Sequence, residues 1–219
     1  MQAPSSTSTP RVLCPRGAHL ARCVQVVDLG SHSFKPGDTP SRKIYFGFET
    51  AILRHTFKPE NGPEPFMLQT EFAFYMGKSA KKTKLRAFIE GWFGKAFPTD
   101  AAAAAFDFSK LLLKPAIITV AHKPKLDGTQ KAIVADIFLP ESGVVVPAAV
   151  NPPVCYEVQF GEDANFRKLP PFLQKKIMES DELSRPANHA GPTTPEPGDD
   201  GPPIIEPDSA VVEEEDIPF

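Results

Sequence analysis

Cysteine is scarce in this 219-residue chain and poorly placed for cross-linking. The three thiols, Cys14, Cys23 and Cys155, are odd in number and far apart. No CxxC pair or Cys/His cluster occurs, which argues against a structural zinc site and against a disulfide framework. Such cysteine usage fits a reducing compartment, so the cytoplasm is the expected location. No apolar run approaches membrane-spanning length. Residues 1–10 are uncharged and rich in Pro, Ser and Thr. They lack the basic and apolar regions of a signal peptide and are expected to be a flexible end. Catalytic signatures are missing as well: no GxxxxGK[ST], no HExxH and no GxSxG. The five histidines, His19, His32, His55, His122 and His189, show no ligand spacing. Scattered acids leave a magnesium-dependent nuclease open, but no two of them form an informative constellation. The expectation is a non-enzymatic protein with no metal and no cofactor.

Proline and phenylalanine are abundant, at 25 and 17 residues. The prolines are uneven: eight fall within Pro186–Phe219, with Gly191, Gly198 and Gly201. That segment has no Lys or Arg and nine acids. Taking those nine from the net charge of −3 leaves residues 1–185 at +6. A near-neutral whole thus hides a basic body and an acidic tail. A basic body suits a polyanionic partner. The tail is too polar and proline-rich to form a core and is expected to be disordered. Its 186–212 stretch would reach about 30 Å as a coil and about 80 Å fully extended.

Hydrophobic periodicity predicts the body. His19–Leu29 reads as strand 1, and Ser31–Ser41 as a Gly/Pro loop. Lys43–Ile52 is strand 2, with Ile44, Phe46 and Phe48 on one face and Lys43, Tyr45 and Glu49 on the other. Phe66–Met76 is strand 3, with Phe66, Leu68, Phe72 and Phe74 opposite Met67, Gln69, Glu71 and Tyr75. The period then becomes helical over Ala80–Phe93, with Ser79 as its cap and Leu85, Phe88, Ile89 and Trp92 on one stripe. Thr99 caps a second helix, from about Asp100 to Phe106. Strand 4 is Ile117–His122, followed by a loop around Asp127-Gly128 and by strand 5 over Ala132–Leu139. A short strand at Cys155–Phe160 and a Pro-initiated helix over Phe172–Glu179 follow. Three strands, a helical insert and two strands are the connectivity of an OB-fold barrel, which binds oligonucleotides on its strand 2–3 face and in its loops. The expected domains are 1–15 as a flexible end, 16–180 as the barrel, 181–212 as the linker and 213–219 as a partner-binding tip.

Single-strand binding needs cations for phosphates and aromatic faces for bases. Strands 2 and 3 are expected to expose Tyr45, Tyr75, Lys43 and Gln69 on the binding face. Each tyrosine alone also reads as an ordinary half-buried sheet residue. The densest basic run is Lys78, Lys81, Lys82, Lys84 and Arg86. It is also readable as a solvated helix start, although cations there oppose the macrodipole. The strand 4–5 hairpin supplies His122, Lys123, Lys125 and Lys131. Phe34 and Lys35, with Arg42, lie in or near the loop after strand 1. Arg22 interrupts an apolar strand and points into the groove or lies on an edge. Phe46, Phe48, Phe72, Phe74, Phe88 and Phe106 are expected in the core, with Trp92 packing the helix on the barrel.

The last residues, Glu213-Glu214-Glu215-Asp216-Ile217-Pro218-Phe219, put four acids before Ile-Pro-Phe. A solubilising tail needs neither Ile217 nor Phe219. The segment resembles the acidic tip of bacterial single-stranded DNA-binding proteins, residue for residue from Asp216 to Phe219, with glutamates in place of the preceding aspartates. That resemblance implies docking of replication, recombination and repair proteins. Within the body, Ala21-Arg22-Cys23 through Asp28-Leu29-Gly30, Leu85–Phe97 and Leu169-Pro170-Pro171-Phe172-Leu173-Gln174 look like the OB-fold single-stranded DNA-binding proteins of bacteriophages. The Gly/Gln-rich linkers of the bacterial proteins are missing, so their homotetramer is not carried over. The expected function is coating single-stranded DNA and recruiting DNA-processing proteins, in the cytoplasm of a bacterial host. The alternatives are an interaction module that competes for the partners of the host protein, or a metal-dependent nuclease.

Overall fold

The computed structural model describes residues 12–33, 35, 37–77 and 83–184. All of them fall in one compact unit that ends at Ser184. Its elements are β1 (Gly17–His32), β2 (Ser41–His55), β3 (Glu64–Ala73), α1 (Lys84–Phe93), α2 (Asp100–Ala104), β4 (Pro115–Pro124), β5 (Gln130–Phe138), β6 (Val154–Tyr156), α3 (Pro171–Met178) and α4 (Asp181–Ser184). The protein is mainly β, as its periodicity predicts. The strand order is β3-β2-β1-β4-β5, with antiparallel ladders throughout.

β1 is long enough to serve two neighbours on one edge. Gly17–Arg22 pairs with β4, and Gln25–Val27 pairs in parallel with β6. Register shifts at Cys23/Gln25 and Asp28/Gly30 bend it toward both. At the second shift Gly30 has φ +76°, and a Cβ there would lie 2.6 Å from Ser180 Cβ. Glycine is required at this point both by the backbone and by the approach of the C-terminal segment.

The predicted alternation in β2 holds, with a different consequence for each face. Ile44, Phe46 and Phe48 enter the main core with Leu85, Ile89, Trp92, Ile118 and Ile137. The Phe46 ring stacks on Phe88 at 5.7 Å, and Phe48 meets Trp92 at 5.4 Å. Trp92 is fully buried and donates Nε1–H to Pro115 O at 2.9 Å. Phe72, Phe74, Phe88 and Phe106 pack against the same core, as expected. The opposite face carries a second core. Val27, Leu29 and Tyr45 pack there against Tyr156, Phe166, Leu169, Leu173 and Ile177. The centre of the sheet is therefore buried on both sides.

Local signals place the helices with modest shifts. Thr83, not Ser79, caps α1, its hydroxyl accepting from Arg86 N–H at 3.2 Å. Ser79 lies outside the described residues. Gly94, with φ +63°, ends the helix in the left-handed conformation. Thr99 caps α2 as predicted. β3 ends at Ala73, earlier than the expected Met76. The domain continues past the expected end at residue 180, because α4 belongs to it.

Candidate nucleic-acid interface

On the predicted binding platform the outer face of β2 is covered, whereas Met67, Gln69 and Glu71 on β3 remain exposed. Tyr45 is only 3% exposed. Its hydroxyl donates to Gln69 Oε1 at 3.2 Å, and Phe172 of α3 sits edge-on to its ring. Burial, with a smaller contribution from the Glu71 charge, pushes the phenol well above its ordinary pKa. Lys176 of α3 donates to Glu71 on β3 at 2.6 Å. Tyr45 is thus a core residue and cannot stack on a base in this state. The physical cause is α3, whose Leu173 and Ile177 need an apolar surface and find it here.

Glu49, on the same face, is 1% exposed. Its carboxylate accepts from Val150 N–H, and from Asn151 N–H and Nδ2–H at 2.9 and 2.8 Å. That contact pins the loop between β5 and β6 across the sheet.

Several predicted phosphate ligands are engaged in contacts within the protein. Arg22 donates to the carbonyls of Pro147 and Leu113, each at 2.6 Å, and to Val146 O. It neither enters a groove nor lies on a bare edge. It ties the β5–β6 loop to the turn before β4, where Leu113 holds a left-handed φ of +61°. Arg42 pairs with Asp28, which is 3% exposed and also accepts from Gly30 N–H at 3.1 Å. The hydrogen bond that Arg42 donates to Asp28 raises the guanidinium pKa further. Arg86 bridges Glu90 at 3.0 Å and Asp100, joining α1 to α2. The His122 ring is bonded to Cys14 O at 2.8 Å. A basic residue and its acidic partner can be far apart in sequence, so these pairings leave no mark on composition.

A different subset of the predicted residues does come together. Lys43, Tyr75 and Lys84 line one cleft of about 440 Å³, with Glu71, Phe72 and Thr83. Lys43 comes from β2, Tyr75 from the turn after β3 and Lys84 from the first turn of α1. Tyr75 is past the strand end, where its N–H donates to Ala73 O at 2.9 Å. Its side chain is 54% exposed, and its ring rests on Gly77, where a Cβ would lie 2.8 Å from the ring. The cleft offers an aromatic face beside two cations, as stacked single strands require.

Lys123, Lys125 and Lys131 lie on the exposed β4–β5 hairpin, and Lys35 is exposed in the β1–β2 loop. Phe34, Lys78, Lys81, Lys82 and Glu213–Phe219 lie outside the described residues. Leu126, at the hairpin tip, was not among the predicted site residues although it is the most exposed large apolar residue described. Its signal was an aliphatic side chain set directly before the Asp-Gly turn.

The thiols of Cys14, Cys23 and Cys155 are free, and burial pushes Cys14 up to about 11. Among the described residues no group of His, Cys, Asp and Glu is arranged to hold a metal, and no helix is long and apolar enough to cross a membrane. No family model, curated protein or solved structure matches the chain.

Proposed function

We propose that this chain is a single-stranded DNA-binding protein of the OB type. It engages DNA at the β3–α1 cleft and along the β4–β5 hairpin, not across the outer face of β2. The observation that carries the proposal is the cleft that Tyr75 lines together with Lys43 and Lys84. A base stacks on Tyr75 while the lysines neutralise the flanking phosphates. The strand order, with α1 inserted between β3 and β4, is the one an OB barrel needs, and β3 also contacts β5, the pair that closes such a barrel. The basic body, at +6 over residues 1–185, supports a polyanionic partner. Binding is sequence-tolerant and involves no catalysis. The Glu213–Phe219 segment, from its sequence, recruits DNA-processing proteins, and the body coats and protects single strands during replication and recombination.

The test is fluorescence anisotropy of the full chain with labelled oligo-dT and with a matched duplex, each at low and high salt. Tight binding that prefers the single strand is expected. If Lys43, Lys84, Lys123, Lys125 and Lys131 all reach phosphates, log K falls against log salt with a slope of about −3.5. Absence of binding at both salts would overturn the proposal and leave the interaction module as the better account.

A further inference from the structure

The β4–β5 hairpin projects from the body as an ordered finger. Every residue from Lys123 to Lys131 is exposed, yet the ladder continues through Lys123 opposite Lys131 and Pro124 opposite Gln130. The turn is held by its own bonds. Lys125 N–H donates to Thr129 O at 2.7 Å, and Gly128 N–H donates to Lys125 O at 3.1 Å. The Thr129 N–H and hydroxyl both donate to Asp127 Oδ1, at 2.9 and 2.6 Å. Gly128 takes the left-handed φ of +78° that such a three-residue turn requires. At the base, His122 anchors the finger to Cys14.

Two features of this finger have no use in an isolated domain. Lys123 and Lys131 are direct cross-strand partners, and like charges so placed destabilise a sheet. Lys125, two residues beyond Lys123, adds a third cation near them. Leu126 at the tip has a relative exposure of 110%. A single exposed leucine is ordinary. A leucine at the end of a stiff finger with three lysines behind it is not. Apolar side chains in such positions enter base steps and unstack them, while cations hold the adjacent phosphates.

We propose that this hairpin is a strand-opening wedge. Leu126 enters between neighbouring bases at a junction of single- and double-stranded DNA, and Lys123, Lys125 and Lys131 hold the flanking phosphates. The inference rests on the single-strand reading above and deepens it by assigning base unstacking to one side chain.

The experiment uses the full chain with a forked oligonucleotide carrying 2-aminopurine at the junction, and labelled oligo-dT in parallel. Native protein should raise the 2-aminopurine fluorescence as the base unstacks. Leu126→Ser should cut that rise at least about fivefold when both proteins are compared at concentrations that saturate the fork. Leu126→Met, which keeps an apolar tip, should retain the rise. Circular dichroism should be native for both, since the side chain lies wholly in solvent. A Leu126→Ser protein with a native rise overturns the wedge. Native protein that binds oligo-dT without any rise at the junction also overturns it and leaves the single-strand reading standing. Failure to bind either oligonucleotide overturns both.

Discussion

The ring of Phe172 meets Tyr45 edge-on, with centroids 6.4 Å apart and planes at 63°. This contact closes the outer face of β2 over Tyr45, and the proposed interface rests on Tyr75 instead. The two tyrosines should therefore separate cleanly. Tyr45→Ala removes a buried aromatic and should cost about 3 kcal/mol or more in urea unfolding. Tyr75→Ala should cost less than about 1 kcal/mol of stability. It should nevertheless weaken oligo-dT binding by about 1–3 kcal/mol. Native affinity in the Tyr75→Ala protein would remove Tyr75 from the interface.

Arg42 is the partner of a buried carboxylate. Arg42→Ala leaves Asp28 with only the backbone donors Gly30 N–H and Val158 N–H. The loss should be about 1.5–3 kcal/mol, the range for hydrogen bonds to charged groups. Arg42→Lys should recover only part of it, because a lysine cannot offer the paired donors of the guanidinium. Equal stability of Arg42→Ala and native protein would show that the pair contributes nothing.

Glu49 accepts three N–H groups from Val150 and Asn151. Glu49→Gln keeps the shape but turns an amide NH₂ toward one of those donors. A destabilisation of about 1–3 kcal/mol is expected, from the unmade buried bonds. The loop between β5 and β6 should also become the first site of limited proteolysis. A native cleavage pattern would mean that the loop is held by other contacts.

The hairpin turn carries a pH signature. The Thr129 hydroxyl, and then its N–H, hold the Asp127 carboxyl below its ordinary 3.8. A depressed carboxyl contributes stability that is fully present above its unfolded pKa and is lost as pH falls through the folded one. The tip should stay ordered at neutral pH and loosen only below about pH 4. The Thr129 amide resonance, followed by NMR during acid titration, should shift in that window. A transition centred near neutral pH would assign the turn's order to another group.

Much of the fold is legible in the sequence because hydrophobic period is a local property. Ile44, Phe46 and Phe48 announce one buried face by their spacing alone, and Gly94 announces the end of α1 by its freedom to take positive φ. The hairpin follows from Asp127-Gly128. The candidate site is legible only in part. Lys43 and Tyr75 are expected together on one face of strands 2 and 3 and Lys84 in a helix start; that Lys84 joins them in one cleft depends on how α1 packs on β2 and β3. Arg22, Arg42 and Arg86 read as basic in any context, while their partners lie at Pro147, Asp28 and Asp100.

What the sequence determines by itself is the order of strands and helices, the Thr99 cap and the Asp127-Gly128 turn, and the division of charge between a basic body and an acidic end. Each depends on neighbours a few residues apart, so short-range chemistry suffices. Only the tertiary structure decides that the second face of β2 is covered as well. Alternation distinguishes two faces of a strand but carries no information on what covers either. Here Leu173 and Ile177, more than a hundred residues downstream, bury the Tyr45 face. The gain in apolar burial from that long-range packing outweighs the polar edge of the phenol, whose hydroxyl keeps a hydrogen bond to Gln69.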